Sequence, residues 1–182
     1  MQEVNFEETY IRYYAKMKRF ALEYVLREED AENIIHDVFV ELWEQWETHK
    51  RHNNVLALLF FMLKNRCIDF LRHKQVQQKL AEKTQNEYYL SLQANCAALS
   101  QFNENIGSEE DLHEIINKAL ASLPDRCREI FVKSKIEGKK QQEIARELNV
   151  SIHTVESQMG IAYKKLRKEL RDLLPLLFFL LH

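Results

Sequence analysis

Only three glycines and two prolines occur among the 182 residues, too few for the tight hairpins of a β-rich chain. Leu, Glu, Lys, Gln and Ala are abundant instead and are all good helix formers. No strand pattern is defensible, so the composition points to an all-α protein. The three cysteines, Cys67, Cys96 and Cys127, are odd in number and far apart. That excludes a closed disulfide framework and offers no paired-ligand zinc spacing. No basic-then-apolar leader stands at the N-terminus, and no apolar run approaches the roughly 20 residues of a membrane helix. A reducing cytoplasm is therefore the expected compartment. A phosphate loop, a nucleophile elbow and a clustered Cys/His set are also missing. Glu110 and His113 have the Glu-x-x-His spacing of a di-iron bundle, but no second such pair exists. The expectation is a chain with no metal, no cofactor and no catalysis on a small-molecule substrate.

With 46% hydrophobic residues, the chain has enough apolar material for one large or two small cores. Its net charge of −2 conceals four blocks. Residues 1–50 carry six basic and twelve acidic side chains, and residues 51–80 carry six and one. Residues 81–132 carry four and nine, and residues 133–171 carry ten and five. Two basic blocks between acidic ones suit two separate contacts with a polyanion, the acidic blocks facing something else.

The organising stretch is Val55 to Lys74. Leu56, Leu59, Phe60, Leu63, Cys67, Phe70 and Leu71 recur at helical steps and form a buried stripe. A neighbouring face runs from Leu58, Phe61 and Met62 to Asn65, Asp69, Arg72 and His73, with Lys64 and Arg66 adding charge alongside. A face that begins apolar and ends in hydrogen-bonding groups suits a polar partner. Just before it, the basic connector His49 to Asn54 places Asn53 and Asn54 where they could hold an unpaired base by its Watson–Crick edge. Upstream, Phe6 to Leu26 reads as a helix with a tyrosine-rich core stripe, and Asp30 is a plausible N-cap for Ala31 to Trp46. In that second helix Ala31, Ile34, Ile35, Val38, Phe39, Leu42, Trp43 and Trp46 form one broad buried face. Its outer face carries Glu32, Asp37, Glu41, Glu44 and Glu47, suited to a basic protein surface, since phosphate would be repelled. From Gln75 to Gly107 the periodicity decays into a polar, Gln- and Asn-rich stretch with some helical tendency, read as a linker.

Order resumes at Ser108 to Asp111, which has the pattern of a capping box, with Ile115, Ile116, Ala119, Leu120 and Leu123 on the buried side. Pro124 opens another helix, which Glu137 and Gly138 end. Gln141 to Leu148, a turn at Asn149 to Ser151, and a helix from Ile152 to about Leu170 then have helix-turn-helix spacing. Inner positions are Ile152, Val155, Met159, Ala162 and Leu166. His153, Thr154, Glu156, Ser157, Gly160 and Lys164 point outward. Small and polar groups there suit a major groove, and Gly160 would allow close approach. Lys164, Lys165, Arg167, Lys168 and Arg171 suit phosphates.

These segments together resemble the extracytoplasmic-function sigma factors of bacterial RNA polymerase, which retain only domains two and four. DAENIIHDVFVELWEQ, Asp30 to Gln45, resembles the family's polymerase-binding segment, and LKNRCIDFLRHK, Leu63 to Lys74, its −10 helix. LPDRCREIF, Leu123 to Phe131, and EIARELNVSIHTVESQ, Glu143 to Gln158, resemble the −35-binding domain. The resemblance implies domain two over 1–75, a linker over 76–107, domain four over 108–172 and an apolar tail over 173–182. It implies core RNA polymerase contacts at Asp37, Glu41, Glu44 and Gln45, and −10 contacts at Asn53, Asn54, Asn65, Arg66, Asp69, Arg72, His73 and Lys74. The −35 contacts are His153, Thr154, Glu156, Ser157, Gln158, Gly160 and Lys164, with Glu156, Ser157 and Gln158 nearest the bases. Promoter DNA, core polymerase and an anti-sigma factor are the implied partners. His36, Leu58, Gln158 and Tyr163 depart from the usual family residues, so the promoter sequence does not carry over from relatives. The other reading is a helix-turn-helix regulator with a helical sensing domain. The tail LLPLLFFLL, Leu173 to Leu181, is too short to span a bilayer, and Pro175 is expected to interrupt any helix. It is expected to pack on the second domain or to be covered by a partner.

Overall fold

A computed structural model describes residues 5–49, 55–80, 87–106 and 108–181, and every regular element among them is helical. Two compact units result, Met1–Glu109 and Glu110–His182.

In the first unit α1 (Phe6–Val25) starts at Asn5, whose side chain accepts from the Glu7 N–H at 3.1 Å. It ends where Leu26 turns left-handed at φ 69°, its N–H donating to the Leu22 carbonyl at 3.2 Å. α2 (Glu28–Glu44) follows at once, then the short α3 (Trp46–His49) and the long α4 (Val55–Leu80). The helical stripes of α1, α2 and α4 converge on Met17, Phe20, Ile35, Leu42, Leu59, Phe60 and Leu63, all fully buried. Phe20 and Phe60 meet edge-on at 5.4 Å, a favourable aromatic geometry. Asp30 is not the cap of α2. The helix begins two residues earlier, which leaves the Asp30 carboxylate in the first turn, where it complements the positive helix end.

Trp43 is not core either: it is 62% exposed, at the margin of the α2 stripe, with Phe6 edge-on at 4.8 Å. α4 runs six residues beyond Lys74, to Leu80. Its first turns are buried on every side, Leu56 through Phe60, and Leu58 and Met62 are buried on the strip that turns polar at Asn65. Lys64 adds no surface charge. It is buried, its amine donating to Asn103 Oδ1 and lying 4.7 Å from the Phe61 ring and 5.8 Å from the Phe102 ring.

Much of the stretch read as a linker is helix. α5 (Glu87–Asn105) lies along α4 and α1 within the first unit and buries Tyr89, Leu92, Cys96, Leu99 and Phe102. Those residues recur at steps of three and four, a core stripe diluted by the surrounding Gln and Asn. Asn95 Nδ2 donates to the Tyr24 carbonyl at 2.7 Å and reaches the Glu23 carbonyl at 3.3 Å, satisfying the C-terminal end of α1.

The second unit is built from α6 (Glu109–Ala121), α7 (Asp125–Phe131), α8 (Gln141–Glu147), α9 (Ile152–Glu169) and α10 (Leu174–Leu181). α7 continues into a π-helical turn, Val132–Ile136, which Gly138 closes at φ 70°. α7, α8 and α10 all pack on α9, whose Val155, Met159, Ala162 and Leu166 are buried. Cys127 Sγ donates to the Gln158 carbonyl at 3.2 Å across that seam. The tail is helical after all. Pro175 stands in the first turn of α10, where its missing N–H costs no hydrogen bond, and Pro175, Leu176, Phe179 and Leu180 are buried in the second unit. Lys135 Nζ donates to the Leu181 carbonyl at 2.6 Å, capping the end of that helix.

Candidate nucleic-acid interface

On α4, Asn65, Asp69 and Arg72 stand at i, i+4 and i+7 and therefore share one face, opposite the buried stripe of Leu59, Leu63 and Cys67 and flanked by His73. Asn65 is half-buried, and Asp69, Arg72 and His73 are exposed. Arg66 borders this strip but is already engaged. Its Nη2 donates to Glu41 Oε2 of α2 at 2.8 Å, which with Asp37 and Asp69 nearby raises the guanidinium pKa further. Lys74 turns away from the strip, half-buried with its ammonium 5.2 Å from the Phe70 ring. Asn53 and Asn54 lie outside the described residues.

The other side of the Arg66 pair is the outer face of α2. Asp37, Glu44 and Gln45 are exposed there and Glu41 is half-buried. Along one edge of them stand two exposed apolar residues, Val40 at 43% and Trp43 at 62%. An acidic face with an apolar edge suits a basic protein surface with an apolar contact of its own. Helical spacing puts Trp43 in the core and leaves Val40 unmarked. The signal that singles out Val40 is its position outside the buried stripe of α2.

In the second unit the turn is fixed before the reading helix begins. Asn149 takes φ 51°, a left-handed conformation that asparagine tolerates. Arg126 Nη2 donates to the Leu148 carbonyl at 2.9 Å, and Lys133 and Lys139 both pair with Glu147. Ser151 caps α9, its Oγ accepting from the Thr154 N–H at 3.0 Å. His153, Glu156, Ser157, Gly160 and Lys164 then fall at i, i+3, i+4, i+7 and i+11, all exposed on one face. Thr154 and Gln158 do not join it. Both are half-buried on the flank, Thr154 engaged with Ser151 and Gln158 accepting from the Cys127 thiol through its backbone carbonyl. Ile152, expected inside, is 43% exposed because the first residue of the helix lies beyond the reach of the core. It lines a shallow depression with Gln142, Arg146 and Asn149 beside the start of α9. Gln142 and Arg146 were not singled out in the sequence. The exposed positions flanking buried Ile144 and Ala145 are the pattern that marks them. The C-terminal turns of α9 end in exposed Lys164, Lys165, Arg167 and Lys168.

Among the described residues no group of three or more His, Cys, Asp or Glu is placed to hold a metal ion. Nor is any helix there long and apolar enough to cross a membrane. His113 Nε2 and Asn117 Nδ2 lie 3.0 Å apart, a contact within one helix.

An open helix-turn-helix face with a basic end makes this a DNA-binding protein. Sigma-70 region 2 matches residues 9–76, and Sigma-70, region 4 matches residues 113–166. The ECF RNA polymerase sigma factor SigW of Bacillus subtilis is 24% identical over 144 residues, covering 79% of this chain and 77% of its own length. The RNA polymerase sigma factor SigV of Bacillus subtilis is 28% identical over 152 residues, covering 84% and 82%. The RNA polymerase sigma factor CnrH of Cupriavidus metallidurans is 26% identical over 166 residues, covering 88% and 84%. The chain belongs to the sigma-70 family, as an extracytoplasmic-function sigma factor. It is an alternative sigma factor of transcription initiation, directing core RNA polymerase to promoters, and its family is one of initiation factors, not of enzymes. The regulator reading gains nothing from these matches, because region 2 occupies the part of the chain where a sensing domain would stand.

Proposed function

We propose that the two units divide the sigma-factor task by residue as follows. The outer face of α2, with Asp37, Glu41, Glu44 and Gln45 beside Val40 and Trp43, holds a basic surface of core polymerase. The α4 strip of Asn65, Asp69, Arg72 and His73, with Asn53 and Asn54 and with Arg66 at its margin, opens the −10 element and keeps a base unpaired, while Lys74 lies off the strip. His153, Glu156, Ser157, Gly160 and Lys164 face the −35 major groove, while Thr154 and Gln158 support that face from its flank. Lys165, Arg167 and Lys168 take phosphates. An anti-sigma factor is a third partner on the family resemblance alone.

The observation that carries this division is the α4 strip: a row of hydrogen-bonding side chains left open on a helix buried along its opposite side, next to an acidic face that would repel DNA. In vitro transcription with purified core polymerase and genomic promoter fragments tests it. Arg72→Ala and Asn65→Ala are expected to reduce strand opening, read as permanganate reactivity of thymines, while core affinity stays at the wild-type level. Equal loss of both activities would remove the −10 assignment.

A further inference from the structure

Gly160 sits in the middle of an 18-residue helix, where glycine is a poor choice by conformational entropy alone. Nothing in the fold requires it. Its backbone φ is not in the left-handed region, and a Cβ built there would meet no atom within 4 Å. Where glycine is needed for packing, a neighbouring helix or side chain occupies the space of the missing methyl. Here that space is open solvent. The position is also not one of many equivalent surface sites. It lies within the exposed row formed by His153, Glu156, Ser157 and Lys164, so the absent side chain leaves a low point in that row.

We propose that Gly160 is where promoter DNA comes nearest to the α9 backbone, and that its missing side chain sets how deeply this helix seats in the major groove. The inference rests on the reading of α9 as the −35 helix and goes beyond it in assigning a positioning role to a residue that offers the DNA no polar group. A methyl at this point lifts the helix away from the base edges. Glu156 and Ser157, one turn toward the N-terminus, then reach their partners poorly. The glycine costs helix stability, and in this proposal the DNA takes up the space its missing side chain leaves.

The role separates stability from binding. Full-length chains carrying Gly160→Ala, Gly160→Ser or Gly160→Val are assembled with core polymerase. The probe is a duplex fragment that wild-type holoenzyme selects from a random-sequence pool. Gly160→Ala is expected to raise the melting temperature of the free chain by roughly 2–8 °C. It is also expected to weaken holoenzyme binding to the fragment by at least about tenfold, with a further loss for Val as the side chain grows. Affinity that rises with melting temperature, or that stays within about twofold of wild type along the whole series, would overturn the inference and leave the −35 reading standing. A selected pool with no preferred sequence upstream of the −10 element would remove the −35 reading itself, and this inference with it.

Discussion

Arg66 of α4 and Glu41 of α2 hold each other, Nη2 to Oε2, at 2.8 Å, so that the strip read as a DNA contact is tied to the face read as a polymerase contact. Both side chains are partly exposed, at 45% and 37%, and such a pair contributes only about 0.2–1 kcal/mol. Glu41→Gln and Arg66→Gln should each shift the unfolding free energy by less than about 1 kcal/mol, with a coupling in the double-mutant cycle that shrinks as salt is added. The binding effects should be easier to see. Removing the Glu41 carboxylate frees Arg66 for phosphate, so Glu41→Gln is expected to raise the affinity of the free chain for a labelled single-stranded oligonucleotide by up to about fivefold. The same change should lower its affinity for core polymerase. Fluorescence anisotropy reads both, and a fall in oligonucleotide affinity would mean that Arg66 does not reach DNA.

Lys64 makes the first unit sensitive to pH on the alkaline side. Burial lowers its pKa from 10.5 to about 8. Between those values the unfolded chain binds a proton that the folded chain does not, so stability rises with pH across that window and is flat with respect to this group below it. The full rise is about 3 kcal/mol. Lys64→Met, which keeps the aliphatic stem and removes the amine, should abolish this slope. Urea unfolding of wild type and variant at neutral pH and near pH 10 provides the comparison; parallel behaviour of the two proteins would show that the amine is not titrating inside the core.

Lys64 also marks how far the sequence can be read. The helices are legible because hydrophobic periodicity is strong in α1, α2, α6 and α9, and the helix-turn-helix because Gly138, Asn149 and Ser151 each have a local reason to stand where they do. Burial at the margins was not legible. Trp43 and Ile152 lie on the right helical face, yet the partner helix does not extend over them. Lys64 reads as surface charge in the sequence because nothing local announces that a distant helix covers it. That helix, α5, was hidden in turn by its composition: five buried apolar residues among glutamines and asparagines give a weak pattern until α4 supplies the surface on which they pack. The strip Asn65, Asp69 and Arg72 survived because spacing alone puts those residues on one face.

The docking of α5 can be tested through Asn95. Its amide donates to the Tyr24 carbonyl at 2.7 Å, at the end of α1 where no backbone N–H continues the helix. Asn95→Ala removes that donor and leaves a half-buried carbonyl unsatisfied, which costs about 1–3 kcal/mol. The expected result is a lower urea midpoint with an unchanged far-ultraviolet spectrum, and faster protease cleavage within residues 87–105. Cleavage at the wild-type rate would indicate that apolar packing alone holds α5.

The apolar tail offers a wide contrast within a single helix. Phe179 is 1% exposed and Leu174 is 65% exposed, five residues apart on α10. Truncating a buried phenylalanine costs about 3–5 kcal/mol, through lost transfer energy and the cavity left behind. Truncating an exposed leucine costs under about 0.5 kcal/mol. Phe179→Ala should therefore lower the stability of the second unit severely, while Leu174→Ala leaves it at the wild-type level. Deleting Leu173 to His182 should do at least as much as Phe179→Ala, because it also uncovers the α9 surface beneath and removes the carbonyl that Lys135 caps. The deletion is then expected to reduce solubility through newly exposed apolar area on α9. If Phe179→Ala and Leu174→Ala prove equally mild, the tail is not part of the core of this unit, and its apolar residues serve a partner instead.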